Sequence, residues 1–156
     1  MGCQQRQGLA RAGREVPRGN RQDGGAAGET GGAALMEKYL QDLLLASVPF
    51  PVAWGTLDSG AGAPYVSMHR LSGRAEWSMD GPGPTQGRIQ VDAFGRTFAE
   101  AQGAADAVLA LLDGHSGGPV QGMFLDAIRD GADGAQGTKT VLLQRISLIF
   151  SITYVK

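Results

Sequence analysis

Gly114, His115, Ser116, Gly117 and Gly118 match the pattern Gly-x-Ser-x-Gly, the first place in this chain where residue types and spacing suggest chemistry. In hydrolases built on that pattern, the serine sits on a sharp turn from strand to helix, which exposes its hydroxyl and aims amides at the oxyanion. Here the flanking sequence predicts a helix before the motif and a strand after it. An acid-base partner would have to be His69, the one histidine outside the motif. A helix cap leading into a connecting loop accounts for the same residues. Gly81, Gly83 and Gly87 outline a loose glycine loop, but Pro82 and Pro84 remove amide donors and no helix start follows to hold a phosphate. His69, His115 and the scattered aspartates have no metal-ligand spacing. Asp126, Asp130 and Asp133 lack the twelve-residue calcium-loop pattern and read as a solvated acidic surface. No catalytic residue, cofactor or metal is expected.

The elements that would carry a function of another kind are clearer. From Ile146 every second residue is large and apolar (Ile146, Leu148, Phe150, Ile152, Tyr154), the period of a strand with one buried face. Residues Met36 to Ser47 place Tyr39, Leu40, Leu43 and Leu44 on one side of a helix that Pro49 and Pro51 stop. Val52 to Trp54 is a candidate short strand and Asp58 to Pro64 a loop. Tyr65 to Leu71 is a strand that Arg74 to Met79 either pairs with or flanks, Asp80 to Gly87 is a long turn, and Arg88 to Phe94 alternates again. Thr97 and Glu100 form a capping box for a helix to about Asp113, with Phe98, Ala101, Ala105, Val108, Leu109 and Leu112 as its apolar stripe. Val120 to Asp126 is a strand and Ala127 to Lys139 a polar, glycine-bearing loop. The sum is an α+β domain: a mostly antiparallel sheet of about four to five strands with two helices on one face.

Residues 1 to 35 contain nine glycines and no aromatic residue, too little apolar surface to offset the entropy of ordering them. The expected organisation is a disordered Gly/Arg-rich extension over 1–35 and a folded domain over 36–156, with Met36 as a candidate initiator. The extension carries five arginines against three acidic residues, a net of +2. The remaining nine basic and twelve acidic residues give a net of −3. That is no nucleic-acid-binding surplus. Cys3 is the only cysteine, so no intrachain disulfide forms. No apolar run reaches spanning length, and no membrane association is expected.

Several blocks, read in order, carry a resemblance: the leucine-rich first helix, Ala63-Pro64-Tyr65-Val66, Arg70-Leu71-Ser72-Gly73 and Met79-Asp80-Gly81-Pro82. Arg88 to Phe94, the alanine-rich helix ending Leu111-Leu112-Asp113-Gly114, and Arg145 to Phe150 complete them. Together they resemble the tail completion or tail terminator family of long-tailed bacteriophages and gene transfer agents, over nearly all of 36–156. The resemblance implies a non-enzymatic virion protein that caps the tail tube, stops its polymerisation and forms the docking surface for the head connector. Its implied partners are itself, in a homohexameric ring, the tail tube protein and the head-tail connector. Genome DNA would pass through the lumen without specific binding. The implied location is the tail or neck of the virion, and the host cytoplasm during assembly. A head completion or neck adaptor protein is the alternative; a small hydrolase using Ser116 and His69 is a third.

On this reading the segments Gly73 to Gly87 and Ala127 to Lys139 are the candidate assembly surfaces, although surface loops without a partner would look the same in sequence. The residues expected to carry the interface are Trp77, Met79, Asp80, Arg129, Asp130 and Lys139.

Overall fold

A computed structural model describes residues 31–57, 62–134 and 142–155. Among them two helices and six strands follow in the order α1 (Gly31–Ser47), β1 (Val52–Trp54), β2 (Tyr65–Ser78), β3 (Gly81–Gly95), α2 (Phe98–Leu112), β4 (His115–Gly117), β5 (Val120–Gly134) and β6 (Leu142–Tyr154). The strands form one sheet in the order β1-β2-β3-β6-β5-β4. The first pair, β1 with β2, is parallel and every other pair is antiparallel. The α+β class holds, while the sheet has six strands and is mixed, where four to five mostly antiparallel strands were expected.

The core lies on one face of this sheet. Ile89, Val91 and Ala93 of β3 stand opposite Phe150, Leu148 and Ile146 of β6, all buried. Over them lie Met36, Leu40 and Leu44 of α1, spaced four apart, and Ala101, Ala104, Ala105, Val108 and Leu112 of α2. The alanines let α2 approach β3 closely. At Gly95 an added Cβ would lie 2.4 Å from the Ala101 amide nitrogen, so only glycine fits where the strand hands over to the helix. Thr97 caps α2 by accepting from the Glu100 amide at 3.2 Å, and the Glu100 carboxylate accepts from the Arg96 amide at 2.9 Å. Phe98, expected in the apolar stripe, is exposed at the first residue of α2.

Five elements differ from the sequence expectation. Helix α1 starts at Gly31 in place of Met36, since Ala33, Ala34 and Leu35 are strong helix formers. Tyr65 to Ser78 is one strand, broken in register near Leu71 and Glu76 but continuous. The turn expected over Asp80 to Gly87 shrinks to its tip: β3 begins at Gly81. Prolines are tolerated there because β6 ends opposite Thr85, leaving residues 81–84 paired to β2 alone. Similarly, Ala127 to Gly134 is strand and not loop, paired throughout with β6 from Ile149 to Leu142. Its outer residues Ile128, Arg129 and Asp130 are all exposed, so no alternation of apolar and polar residues marks it in sequence. The three-residue β4 replaces the loop expected after α2.

Candidate assembly surfaces

The β2–β3 hairpin is a two-stranded arm. Thr85 faces Tyr154, the last residue of β6, and the hairpin continues past that level to Trp77 opposite Pro82. Gly81, at φ +126, closes the tip, and Ser78 Oγ donates to the Gly81 carbonyl at 3.2 Å. At the root of the arm, a Cβ on Gly87 would come within 2.8 Å of the Ser72 carbonyl, so the paired strands leave room there only for glycine. Gln86 Nε2 donates to Glu76 Oε1 at 2.8 Å and ties the strands across the second irregularity. The tip presents two large apolar side chains to solvent, Trp77 at 76% exposure and Met79 at 107%. Asp80 is exposed beside them.

Arg129 and Asp130 are exposed on β5, opposite Ser147 and Ile146 of β6. Ser147 in turn faces Asp92 of β3. From Asp92 to Pro82 at the arm is ten residues of the same strand, roughly 33 Å at strand rise. The expected interface residues therefore fall into two separate surfaces, Trp77, Met79 and Asp80 at the tip of the arm and Arg129 and Asp130 on β5 level with the middle of β6. Lys139 lies outside the described residues. The β5–β6 hairpin extends toward the end opposite the arm, with Gly134 facing Leu142 beyond the level at which β3 ends, Gly95 facing Gln144.

Among the described residues, the second face of the sheet carries no helix. Across it run Gln90 and Asp92 of β3, Ser147 and Ser151 of β6, and Arg129 of β5. Asp92 is nonetheless buried, because Gln90 Nε2 donates to its two oxygens at 2.9 and 2.8 Å and Ser147 Oγ donates to Oδ1. Tyr65 stacks on Phe94 with ring centroids 4.6 Å apart, covering one side of this polar row. The alternation in Arg-Ile-Gln-Val-Asp held the signal for the trio: Gln90 and Asp92 share a face by period two. What sequence alone lacked was Ser147 as their neighbour, which only the β3–β6 register supplies. Arg88 and Asp126 form an ion pair across the same face, and Arg70 pairs with Glu37 of α1.

The residues with a chemical look in sequence are held apart. Ser116 is on β4 and His69 on β2, with β3, β6 and β5 between them, a separation of roughly 19 Å at interstrand spacing. His115 is engaged with the Tyr39 hydroxyl at 3.1 Å, and His69 Nε2 with Ser67 Oγ at 3.3 Å. Among the described residues no three His, Cys, Asp or Glu side chains converge as a metal site. No helix among them is long and apolar enough to cross a membrane.

No family model matches the sequence, and no curated protein matches it. Among solved structures, the chain is similar to one from the virion of a native gene transfer agent particle, with a TM-score of 0.56 and 22% identity over 78% of this chain and 96% of that one. A second solved chain is 24% identical over 84% of this chain and 99% of its own, with a TM-score of 0.46, too low to argue from. The first likeness is one of fold: a helix-backed sheet of this kind occurs as a chain of that particle.

Proposed function

We propose that this protein is a structural subunit of a phage-like particle, that it acts without catalysis, and that it caps the tail tube, ends its polymerisation and offers the docking surface for the head connector. The observation that carries the reading is the opposed placement of the two hairpins. A cap must bind one partner below and another above, and this sheet carries an apolar-tipped arm at one end and a charged hairpin extending toward the other. The likeness of fold to a chain of a gene transfer agent virion supports the same reading.

In this reading the subunits form a homohexameric ring, the helices face outward and the polar face bearing Asp92 and Ser147 lines the passage. Genome DNA then meets a surface of mixed charge with no phosphate-neutralising surplus, and slides through without specific binding. Trp77 and Met79 supply the desolvated anchors that interfaces concentrate their energy in.

The test is tube growth in vitro. Purified tube subunits polymerise in the presence of increasing amounts of this protein, and lengths are measured by electron microscopy. Substoichiometric protein should arrest elongation and remain bound at one end of each tube. An unchanged length distribution, with the protein absent from tube ends, would reject the capping role.

A further inference from the structure

Resting on the ring reading above, we propose that neighbouring subunits join by strand addition, the free edge of β2 in one copy pairing antiparallel with the free edge of β5 in the next. Among the described residues, β1 covers β2 only at Val66, Ser67 and Met68, and β4 covers β5 only between Val120 and Met123. That leaves 69–78 of β2 and 124–134 of β5 without a strand on their outer sides. Long open edges of this kind are templates for pairing with another chain.

The backbone orientation can be followed along each edge. The Val66 amide donates outward to the Pro51 carbonyl at 2.9 Å, and the Met68 carbonyl accepts from Gly55 at 2.8 Å. Alternation, reset by the extra residue Leu71, points the peptide groups of Arg70, Gly73 and Ala75 outward. On β5 the Met123 carbonyl accepts from Gly114 at 2.8 Å, and the Leu125 amide donates to Asp113 Oδ1 at 3.0 Å. Reset by the extra residue at Asp126, the outward positions continue as Ile128, Asp130 and Ala132.

Two properties select a second copy, joined head to tail, as the occupant. Strands β2 and β5 run in opposite directions within the sheet, so a translated copy presents β5 antiparallel to β2. The covered stretches lie at different levels, β1 beside Val66 to Met68, level with Ile146 to Leu148 of β6, and β4 beside Val120 to Met123, level with Ile152 to Tyr154, so the open stretches of the two edges are staggered.

The offset suits closure. The β2 edge centres near Gly73, level with Ile152, and the β5 edge near Arg129, level with Ser147. Those levels are five residues apart on β6, about 17 Å, over a repeat of four strands about 19 Å wide. Propagating that offset inclines the strands by about 40° to the ring axis, within the roughly 35–45° of closed barrels. A heterologous contact whose rotation closes gives a ring.

Proline at an outward amide blocks strand addition without removing a bond inside the sheet. In the full chain, Ala75→Pro disables the β2 edge and Ala132→Pro the β5 edge. Native mass spectrometry should find rings for the unaltered chain and monomers for each variant, with cooperative thermal unfolding retained. Mixed in equal amounts, the two should give a one-to-one dimer, since each keeps the edge that the other lacks. Rings that persist in both variants, or a mixture that stays monomeric, would overturn the edge assignment while leaving the ring itself standing. An unaltered chain that never forms rings, with or without tube subunits, would overturn the ring reading and this proposal together. A second pair avoids proline: Arg74→Cys with Arg129→Cys in a Cys3→Ser background should give a disulfide-linked ladder on oxidation. Rings that form without any ladder would count against the pairing.

Discussion

Asp92 of β3 and Ser147 of β6 face each other across the uncovered side of the sheet, and the serine hydroxyl donates to the buried carboxylate. This contact, with Gln90 as its third member, occupies the middle of the face that the ring reading turns toward the passage. A charged acceptor held by two neighbours is fixed in place there.

Ser147→Ala removes one donor from a buried carboxylate and should cost about 1.5–3 kcal/mol, the range for hydrogen bonds to charged groups. Urea unfolding of Ser147→Ala, Gln90→Ala and the double variant measures it. The double variant should lose less than the sum of the singles, because both donors serve the same carboxylate.

Two glycine substitutions should move stability in opposite directions. Gly95→Ala forces a Cβ against the Ala101 nitrogen and the Glu100 carbonyl carbon, and should destabilise by about 1–3 kcal/mol or more, since backbone must shift. Gly103→Ala sits on the exposed side of α2 with nothing within 4 Å, and should stabilise by about 0.5–1 kcal/mol. Thermal unfolding of the pair reads both signs, and equal signs would contradict the α2–β3 contact.

The two buried faces were legible because burial writes a period into the sequence. Ile146, Leu148 and Phe150 announced β6 by alternation, and Thr97 with Glu100 announced the start of α2 by its cap. The distal halves of β2, β3 and β5 carry no such period, because residues such as Arg74, Trp77, Ile128 and Arg129 are exposed. Their strand character comes from backbone pairing with a neighbour distant in sequence, and glycine and proline content made them look like loops. Trp77 and Met79, large apolar groups beside a Gly/Pro turn, are exposed at the tip of the arm. That Arg129 and Asp130 lie level with the middle of β6, away from the arm tip, could be read only from the strand pairing.

Trp77→Ala and Met79→Ala should leave folding within about 0.5 kcal/mol of the parent, as expected for exposed positions. Binding to purified tube subunits or connector should fall by tenfold or more if the arm tip is an anchor. Calorimetric unfolding and pull-down on the same preparations separate the two effects. Collapse of the monomer in Trp77→Ala would mark the residue as core instead.

The most direct measurement is electron microscopy of particles made after deletion of this gene. The capping account predicts overlong tail tubes without heads, because nothing ends polymerisation or joins the connector. Tails of normal length lying beside unjoined heads would contradict tube capping and favour a neck adaptor, and normal infectious particles would contradict a virion role altogether.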